Sequence, residues 1–489
     1  MADYDLAIIG GGLSGTSLAR DAAGRGLRVV LFEQGDLGGA ASAATSRLIH
    51  GDLAVLEQWR FFRVRRALAE REIWLRTAPH LVRPMRFEIP AHADERTLLQ
   101  LRSSLWLYDR LAPATRLPPS QTIDVTHHPI GNALKRPFGT AFEYSDCLVD
   151  DTRLVVLNAL DAAARGAAIR TGARCVRVER TDVWRLAVVD RGHRQVVTSR
   201  ALANASGGWT AIVAETILRL PPPKLIARQI GQIVVPRLFD TDNVYVFQHG
   251  DGRLIYASPL EREFTLVGSV AHAFTGDPAI VALDVRDVAY LCEAINRFLR
   301  RPIHPSDVIM TMSGVNLVPR GGRPDALVTL QASRGKAPLI TMFGGDVTSS
   351  RRRAERAISN LVPFYPMSPP WTANAPLPGG DFAWERFDAE VDAARERWRF
   401  LTEPEAQRLV AAYGTRLVEV IGQAKSRADL GERFGQDLTA VEVRYLMKQE
   451  WARFPDDILW RRSKLGLAMP ANDREALARF MTAQSRLSP

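Results

Sequence analysis

Two apolar stretches near the start of the chain are separated by a helix-length segment of small residues. Residues 4–10, Tyr-Asp-Leu-Ala-Ile-Ile-Gly, predict a short buried strand that ends on a glycine. Residues 27–32, Leu-Arg-Val-Val-Leu-Phe, predict a second strand that ends on the acidic Glu33. Between them, the segment from Thr16 to about Gly24 predicts a helix. The chain therefore opens with a predicted strand, tight turn, helix and strand.

The predicted turn carries glycines that suit a bound dinucleotide. Gly10, Gly12 and Gly15 allow the backbone to approach a pyrophosphate and the helix to pack closely on the strand. The helix N-terminus supplies free N–H groups and the positive end of the helix dipole. Glu33 is placed to accept hydrogen bonds from a ribose 2′-hydroxyl, which disfavours a 2′-phosphate there. Glycines alone indicate only a tight turn, but the ordered set of five features favours an adenine dinucleotide site.

Later patterns predict a second group of strands and a helical end. Residues 232–236 and 264–268 alternate as half-buried strands do. Residues 153–164 predict a helix, and an apolar strand at 339–343 meets Gly344 and Gly345 just before another helix, which offers a second helix N-terminus to a ligand. Residues 376–380 predict a linker, and the remainder of the chain is rich in helix-forming residues.

Composition and charge narrow the class of protein. The 489 residues are enough for two or three domains, and 46% hydrophobic and 24% charged residues are ordinary for a globular protein. The three cysteines (Cys147, Cys175 and Cys292) lack metal-ligand spacing, so no metal site is predicted and a reducing compartment is expected. With no signal-peptide pattern and no membrane-length apolar run, we expect a cytoplasmic protein. The net charge of +10 comes without a nucleic-acid motif, which disfavours a nucleic-acid partner.

Several strings along the chain resemble one family, the aerobic FAD-dependent glycerol-3-phosphate dehydrogenases. They include Ser46-Arg-Leu-Ile-His-Gly51, Asn204-Ala-Ser-Gly-Gly-Trp209 and Phe343-Gly-Gly345. Further matching strings lie at residues 22–27, 67–72, 78–81, 84–87, 142–147, 149–151, 335–338, 377–380 and 457–466. Because the resemblance covers nearly the whole chain, it implies the fold, the cofactor and the reaction class of that family.

The resemblance implies an α/β flavoprotein with FAD as cofactor. We expect a Rossmann-like FAD-binding domain of the glutathione-reductase type with an inserted mixed-sheet substrate domain and a C-terminal helical domain. The predicted boundaries are 1–75, 150–209 and 337–370 for the discontinuous FAD-binding domain, 76–149 and 210–336 for the substrate domain, and 371–489 for the helical domain. The expected FAD-binding positions are Gly10, Gly12, Gly15, Glu33, Ser42, Thr45, Ser46, His50, Gly207, Gly344, Gly345 and Thr348.

The substrate pocket departs from the family's pattern. A basic cluster holds the substrate phosphate in that family, and a histidine near the flavin is the candidate base. The corresponding positions here are Ala54 and Val55 for an arginine and a tyrosine, Gln232 for the histidine, Asn316 and Thr329 for two arginines, Asp346 for a lysine, and Val270-Ala271 for a threonine–aspartate pair. Losing three charge-assisted hydrogen bonds removes roughly 6 kcal/mol, or about four decades in affinity. Glycerol 3-phosphate bound in the family's manner is therefore disfavoured.

Other residues are available for catalysis and recognition. His50 is the best remaining base, although it can equally serve as a fixed hydrogen-bonding group, and His272 is a weaker second candidate. Gln232 cannot act as a base, since an amide does not titrate near neutral pH. Asp52 and Asp346 could recognise a cationic group, or could be solvated or paired within the fold. Arg228, Arg320 or Arg351 could hold a phosphate from new directions.

Three hypotheses remain open at this point. The first is an FAD-dependent dehydrogenase or oxidase that oxidises the alcohol of a small polar substrate other than glycerol 3-phosphate. The second is a glycerol-3-phosphate dehydrogenase of glycerol metabolism that forms dihydroxyacetone phosphate, with a rebuilt phosphate site. The third is a flavin-binding protein without turnover. The pocket positions His50, Gln232, Asn316 and Asp346 are the candidate catalytic set, and the first hypothesis is preferred.

The resemblance also implies partners. Quinone is the expected electron acceptor, peripheral contact with the inner face of the cytoplasmic membrane is expected, and a homodimer is suggested. The arginine-rich segment 60–66 is suited to anionic headgroups, which attract basic residues by about 1 kcal/mol each. A solvated arginine-rich face is the equally weighted alternative.

Overall fold

A computed structural model describes residues 2–91, 95–112, 114–135, 139–249, 253–320 and 327–487. Its strands are β1 (Tyr4–Ile9), β2 (Val29–Glu33), β3 (Leu48–Ile49), β4 (Val82–Ala91), β5 (Gln121–Asp124), β6 (Thr140–Val149), β7 (Ala168–Thr171), β8 (Ala173–Arg180), β9 (Trp184–Asp190), β10 (His193–Asn204), β11 (Leu225–Pro236), β12 (Val244–Gln248), β13 (Leu254–Leu260), β14 (Phe264–Ala273), β15 (Met310–Pro319), β16 (Val328–Ser333), β17 (Lys336–Met342), β18 (Arg433–Phe434) and β19 (Leu438–Thr439). Its α-helices are α1 (Leu13–Gly24), α2 (Leu53–Glu57), α3 (Phe61–Thr77), α4 (Glu95–Leu111), α5 (Asp151–Ala164), α6 (Thr210–Ile212), α7 (Val285–Asn296), α8 (Ser350–Ser359), α9 (Phe387–Arg397), α10 (Glu403–Tyr413), α11 (Leu417–Ile421), α12 (Ala440–Gln449) and α13 (Ala471–Leu487).

The first sheet is built around the predicted opening unit. Its strand order is β16-β17-β10-β1-β2-β7, with β9 paired to β10 and β8 paired to β9. The strands β17, β10, β1, β2 and β7 run parallel, and α1, α5 and α8 pack together as their covering helices. Parallel strands bring their carboxyl ends to one edge, where the loops after β1, β10 and β17 meet. This edge is where the predicted dinucleotide turn lies.

The predicted opening elements are confirmed with small shifts of their ends. The first helix begins at Leu13 rather than Thr16, because the extended backbone of Gly12 ends the turn early and the Leu13 N–H is capped by Ser42 Oγ at 3.0 Å. The second strand begins at Val29 rather than Leu27. The predicted helix at 153–164 begins at Asp151, with the Asp150 side chain as its cap.

Within the described residues, the second sheet has nine strands in the order β15-β11-β14-β13-β12-β4-β6-β3, with β5 paired to β6. Its neighbours are antiparallel except for the parallel pair β12–β4. The predicted strand at 232–236 is the end of the longer β11, and a bulge lies between Gly231 and Gln232. Two short strands depart from the predicted division of the chain: β3 pairs in this second sheet, and β16 pairs in the first. The predicted domain boundaries therefore stay a prediction.

The C-terminal part is mainly helical, as predicted. The helices α9 to α13 surround a core of their own, and a small hairpin of β18 and β19 interrupts them. The predicted linker at 376–380 forms neither helix nor strand, and it is held against the first part of the molecule by a hydrogen bond from the Leu377 N–H to the Thr77 carbonyl at 2.7 Å.

Candidate active site

The glycines of the first turn are required by close packing. Gly10 has a φ of +111°, and a Cβ there would lie 2.5 Å from the carbonyl oxygen of Ala205 at the end of β10. A Cβ on Gly15 would lie 1.9 Å from the Gly10 carbonyl oxygen. The turn can therefore form only because these positions carry no side chain.

The N-terminus of α1 presents unused donors at this turn. Gly12, the first flanking residue of the helix, provides no side-chain cap. Among the described residues, the N–H groups of Ser14 and Gly15 donate to no protein acceptor. Such groups, together with the helix dipole, suit the oxygens of a pyrophosphate.

Glu33 lies at the end of β2 beside the glycine turn. Its carboxylate accepts the N–H of Gly11 at 2.7 Å and the N–H of Gly35 at 2.8 Å. Burial raises the pKa of Glu33, and these two backbone donors oppose that shift. Each oxygen retains a lone pair, so the carboxylate can also accept from ribose hydroxyls.

A second glycine turn follows β17. Gly344 and Gly345 have φ values of +36° and +97°, and a Cβ on Gly344 would lie 2.1 Å from the Leu317 carbonyl oxygen. Thr348 Oγ1 accepts the N–H of His50 at 3.1 Å, which joins this turn to the His50 segment. Gly207, at the end of β10, has a φ of +57° and open space where its Cβ would stand. Two glycine turns and a helix N-terminus with the unused N–H groups of Ser14 and Gly15 at one sheet edge fit an extended dinucleotide such as FAD.

The hydroxyls predicted to contact the cofactor differ in their roles. Ser42 caps α1, and the Thr45 hydroxyl donates to Asp151 at 2.8 Å, so both already have protein partners. Ser46 lines the cavity described next.

A cavity of about 290 Å³ lies beside the His50 segment. Its lining residues are Ser46, Leu48, His50, Asp52, Gln232, Leu254, Tyr256, Ser258, Leu266, Gly268 and Ser269. We call it the first cavity. Hydroxyl, amide and imidazole groups face it together with one carboxylate, and no arginine or lysine is among these described lining residues.

His50 is held from behind by a buried polar network. The Gly51 N–H donates to the Tyr108 hydroxyl at 2.7 Å, and that hydroxyl donates to Asp146 at 2.6 Å. Arg71 donates to the other carboxylate oxygen of Asp146 at 2.7 Å. Burial raises the pKa of Asp146, while the charge of Arg71 opposes the shift. Since each buried group has a partner, the network fixes the backbone at His50.

Gln232 is an anchored amide. Its Nε2 donates to the carbonyl oxygens of Ala44 and Thr45 at 3.3 and 2.8 Å. It therefore joins β11 of the second sheet to the backbone at Ala44 and Thr45. It also presents a neutral group to the first cavity.

Asp346 does not reach the first cavity. Its carboxylate accepts the N–H of Ser349 at 2.7 Å at the start of α8. Although burial opposes it, the neighbouring Arg353 and the Ser349 hydrogen bonds lower the pKa of Asp346. Asp346 is therefore a carboxylate paired within the fold and not a group that recognises a cationic substrate. Asp52 does line the first cavity, where Arg63 approaches it at 3.9 Å.

The other positions that the sequence assigned to the substrate pocket do not lie together. Asn316 stands directly opposite Arg228 on the paired strands β15 and β11, and it lies beside the Gly344 turn. Thr329 is exposed on β16 of the first sheet, opposite Thr341, so this position is outside the lining of the first cavity. Val55 and Val270 are buried in apolar cores, and the Ala54 side chain is outside the described part of the chain.

A second cavity of about 530 Å³ adjoins the first, with Leu254 and Ser269 lining both. Its other lining residues are Ile226, Arg228, Arg253, Ala271, His272 and Ala273. His272 Nε2 lies 2.5 Å from a carboxylate oxygen of Asp287, so its imidazole is already engaged. Of the three arginines considered from the sequence, Arg228 lines this cavity, whereas Arg351 is consumed in buried ion pairs with Glu70 and Glu355. Arg320 is exposed and lines neither cavity.

Sequence reasoning missed Tyr256, Ser258 and Arg253 as cavity residues. Tyr256 and Ser258 are two residues apart on β13. Because side chains alternate between the two faces of a strand, this spacing in the sequence could have placed both on one face. Which face they share was decided by the pairing of β13 with β14.

Within the described ranges no helix is long and apolar enough to cross a membrane. The same residues contain no cluster of three or more His, Cys, Asp or Glu side chains that could hold a metal ion.

Comparison with known proteins agrees with the fold. The family described as "FAD dependent oxidoreductase" matches residues 5–346, and the "C-terminal domain of alpha-glycerophosphate oxidase" matches residues 370–486. A glycerol-3-phosphate dehydrogenase of Pseudomonas aeruginosa is 39% identical, covering 98% of this chain and 95% of its own. A D-erythritol 1-phosphate dehydrogenase of Brucella abortus is 36% identical, covering 97% of both chains.

A solved structure shares the fold. The glycerol-3-phosphate dehydrogenase from Bacillus halodurans complexed with FAD matches with a TM-score of 0.76 and 22% identity, covering 98% of this chain and 90% of its own. The predicted fold class, FAD as cofactor and the class of FAD-dependent dehydrogenase are thus confirmed. The chain belongs to the FAD-dependent oxidoreductases, within the family of the aerobic glycerol-3-phosphate dehydrogenases.

Proposed function

We propose that this protein oxidises a carbinol of a small polyol-type substrate other than glycerol 3-phosphate. The observation that carries the proposal is the lining of the first cavity, which offers hydroxyl, amide and imidazole groups but no guanidinium or ammonium group among its described residues. A dianionic phosphate placed there would meet the Asp52 carboxylate, and the nearby Arg63 is already paired with that carboxylate at 3.9 Å. Neutral hydroxyl groups instead find hydrogen-bonding partners.

The residues of the first cavity have separate roles in this proposal. FAD, when bound, supplies the acceptor for the hydride of the substrate carbon. His50 accepts the hydroxyl proton, and the Tyr108–Asp146–Arg71 network keeps its backbone in place. Gln232, Tyr256 and Ser258 bind the remaining hydroxyls of the substrate and orient it.

The second candidate is a glycerol-3-phosphate dehydrogenase of glycerol metabolism with a rebuilt phosphate site. The name of the Pseudomonas aeruginosa relative favours it. The name of the Brucella abortus relative favours a changed substrate within the same family, because that protein is named for a longer phosphorylated polyol.

Anaerobic flavin reduction tests the proposal. The purified holoenzyme is mixed with glycerol 3-phosphate or with other polyols and polyol phosphates, and bleaching of the oxidised flavin band is followed. We expect little bleaching by glycerol 3-phosphate below millimolar concentration and rapid bleaching by another member of the panel. Rapid bleaching by glycerol 3-phosphate would instead establish the second candidate, and no bleaching by any compound would favour a flavin-binding protein without turnover.

His50→Asn is the variant that tests the proton acceptor. We expect the rate of bleaching to fall by about 10²–10⁴-fold, the usual contribution of a positioned base, with FAD content unchanged. A wild-type rate in His50→Asn would show that His50 is only a fixed hydrogen-bonding group.

The proposal extends to the electron acceptor and to the membrane. A quinone as acceptor and a homodimeric assembly follow the family and remain proposals. An exposed surface of aromatic, leucine and arginine residues supports contact with the inner face of an anionic cytoplasmic membrane. It consists of Trp59 and Phe62, which are about four-fifths exposed, together with Leu99, Trp106, Arg60, Arg65, Arg66, Arg102 and Arg110. Sedimentation with vesicles containing anionic lipid should fall when Trp59 and Phe62 are replaced by Ser, and unchanged sedimentation would exclude this surface.

A further inference from the structure

The segment that begins with Glu33 is tied to the first glycine turn at both ends. The Gly11 N–H donates to the Glu33 carboxylate at 2.7 Å, and the Gly38 N–H donates to the Gly11 carbonyl oxygen at 3.0 Å. We call residues 33–38 the Glu33 loop. Because its first residue carries the carboxylate that is available to ribose hydroxyls, a shift of this loop would move that carboxylate relative to the glycine turn.

Two arginines of the C-terminal part hold the middle of the Glu33 loop. Arg461 Nε donates to Asp36 Oδ2 at 2.5 Å, and Arg462 donates to both carboxylate oxygens of Asp36 at 2.6 and 2.7 Å. The side chains of Asp36 and Arg462 are 8% and 0% exposed. Although burial opposes it, the hydrogen bonds and charges of the two arginines lower the pKa of Asp36. The loop is therefore held by charge-assisted hydrogen bonds, which are stronger than neutral ones.

The C-terminal part also reaches the strand beside Glu33. Thr171, the last residue of β7, is the partner of Glu33 in the parallel sheet, and the Gly172 N–H donates to the Gly35 carbonyl oxygen at 3.0 Å. Arg453 lies against this glycine, since a Cβ on Gly172 would be 2.5 Å from Arg453 Nη1. The C-terminal part thus contacts both the Glu33 loop and the strand end next to it.

Arg462 connects the Glu33 loop to the packed C-terminal helices. Its Nη2 also donates to the carbonyl oxygen of Glu450, the residue directly after α12, at 2.7 Å. The Glu450 side chain is in turn paired with Arg153 of α5. Displacement of the C-terminal helices would therefore displace or unpair Asp36, because one buried guanidinium binds both.

We propose that the C-terminal part positions the Glu33 loop for the ribose of FAD, so that cofactor binding and docking of the C-terminal helices stabilise each other. Arg461 and Arg462 are positioning residues, because they act on the cofactor site through Asp36. Linkage makes the coupling reciprocal: whatever the docked helices add to the affinity for FAD, bound FAD adds to the docking of the helices. The inference concerns the cofactor and does not depend on which substrate is oxidised.

Arg462→Gln tests the coupling by equilibrium binding. Full-chain protein freed of FAD is titrated with FAD and with ADP, which has the adenosine and the pyrophosphate of FAD but no flavin. We expect the variant to bind FAD at least about fivefold more weakly than the wild type, the lower end of the usual range for coupled sites, and ADP by the same factor. Unchanged affinity for FAD, or a loss for FAD without a loss for ADP, would overturn the proposal.

Arg461→Gln is a milder variant that keeps the test decisive if Arg462→Gln does not fold. The Arg461 side chain is 17% exposed and donates one hydrogen bond to Asp36. We expect a smaller loss of affinity, again equal for FAD and ADP. Wild-type affinity for both ligands in this variant and in a folded Arg462→Gln would overturn the proposal.

Arg408→Gln is the matched control for destabilisation alone. Arg408 donates to both carboxylate oxygens of Glu442 at 2.8 Å within the C-terminal helices, and neither residue belongs to the contacts of the Glu33 loop described above. This variant should have a lower thermal midpoint and should bind FAD and ADP as the wild type does. A loss of FAD affinity equal to that of Arg462→Gln would indicate general destabilisation and would overturn the positioning role.

Limited proteolysis measures the same coupling from the C-terminal side. Wild-type protein without FAD should be cleaved after residue 370 faster than the holoprotein, and ADP alone should restore part of the protection. In Arg462→Gln, saturating FAD should protect this part of the chain less than it does in the wild type. Equal rates of cleavage with and without FAD in the wild type would overturn the proposal.

Discussion

At the scale of single residues, one carboxyl group of the second sheet is set apart by its surroundings. Glu88 on β4 is buried directly opposite Glu143 on β6, and Asn243 donates to it at 2.7 Å. Glu143 is instead paired with Arg86 and Gln121. Burial, and then the charge of Glu143, raise the pKa of Glu88 to about 8, so Glu88 is neutral at pH 7.

This raised pKa predicts a pH-dependent stability. The pKa is 4.5 when Glu88 is solvated and about 8 in the fold, so its contribution is fully present below pH 4.5 and is lost as the pH rises towards 8. Glu88→Gln keeps a neutral group there and should flatten the fall in thermal midpoint between pH 5 and pH 8.5, a difference on the order of a few kcal/mol at most. Glu179→Gln, at an exposed position, is the control. Equal pH slopes in wild type and Glu88→Gln would contradict the assignment.

At the scale of elements, the register of β11 with β15 sets Asn316 directly opposite Arg228. Asn316→Arg restores the family's residue beside the Gly344 turn and opposite Arg228. A regained charge-assisted hydrogen bond is worth about 1.5–3 kcal/mol, so we expect kcat/KM for glycerol 3-phosphate to rise tenfold or more.

Thr329→Arg is the informative comparison for this prediction. Thr329 lies on the exposed edge strand β16 of the first sheet, so an arginine there should leave the kinetics unchanged. For both variants, kcat/KM is measured with glycerol 3-phosphate and with a longer polyol phosphate. A gain in Thr329→Arg but not in Asn316→Arg would show that the wrong position was compared with the family's arginine.

At the scale of the whole molecule, buried ion pairs attach the C-terminal helices to the flavin-binding part. Arg153 of α5 donates to both carboxylate oxygens of Glu450, one at 3.0 Å, and both side chains are almost fully buried. Arg461 and Arg462 pair with Asp36, and Lys464 reaches Asp150 at 3.2 Å and Asp151 at 3.3 Å. These contacts fix residues 457–466 against residues 149–151.

Breaking the Arg153–Glu450 pair should therefore destabilise the packing of the C-terminal helices. Glu450→Gln leaves the Arg153 charge buried without its counterion, which costs about 3–5 kcal/mol. The expected result is a lower thermal midpoint and faster proteolysis after residue 370, whereas Glu475→Gln, an exposed helical pair with Arg479, should change the stability by less than about 1 kcal/mol. An unchanged midpoint in Glu450→Gln would mean that other contacts hold the helices.

The sequence by itself determined the flavin-binding half of this protein. The glycines, Glu33 and the apolar runs of β1 and β2 act within one short segment, so their spacing alone predicts the turn, the helix and the dinucleotide. It also predicts which substrate residues the chain lacks, since Asn316 in place of an arginine and Gln232 in place of a histidine would remove a charge and a base whatever the fold.

Only the tertiary structure decided where the replaced residues lie and what they contact. Asp346 accepts the Ser349 N–H just before α8, Thr329 lies on another sheet, and Arg228 faces a second cavity, because each outcome depends on strand register and helix ends formed between distant segments. A one-residue change of register would turn Arg228 to the opposite face, and no local pattern in β11 fixes that register. The chemistry of the residues is determined by the sequence, but only the packed sheet brings His50, Asp52 and Gln232 into one cavity.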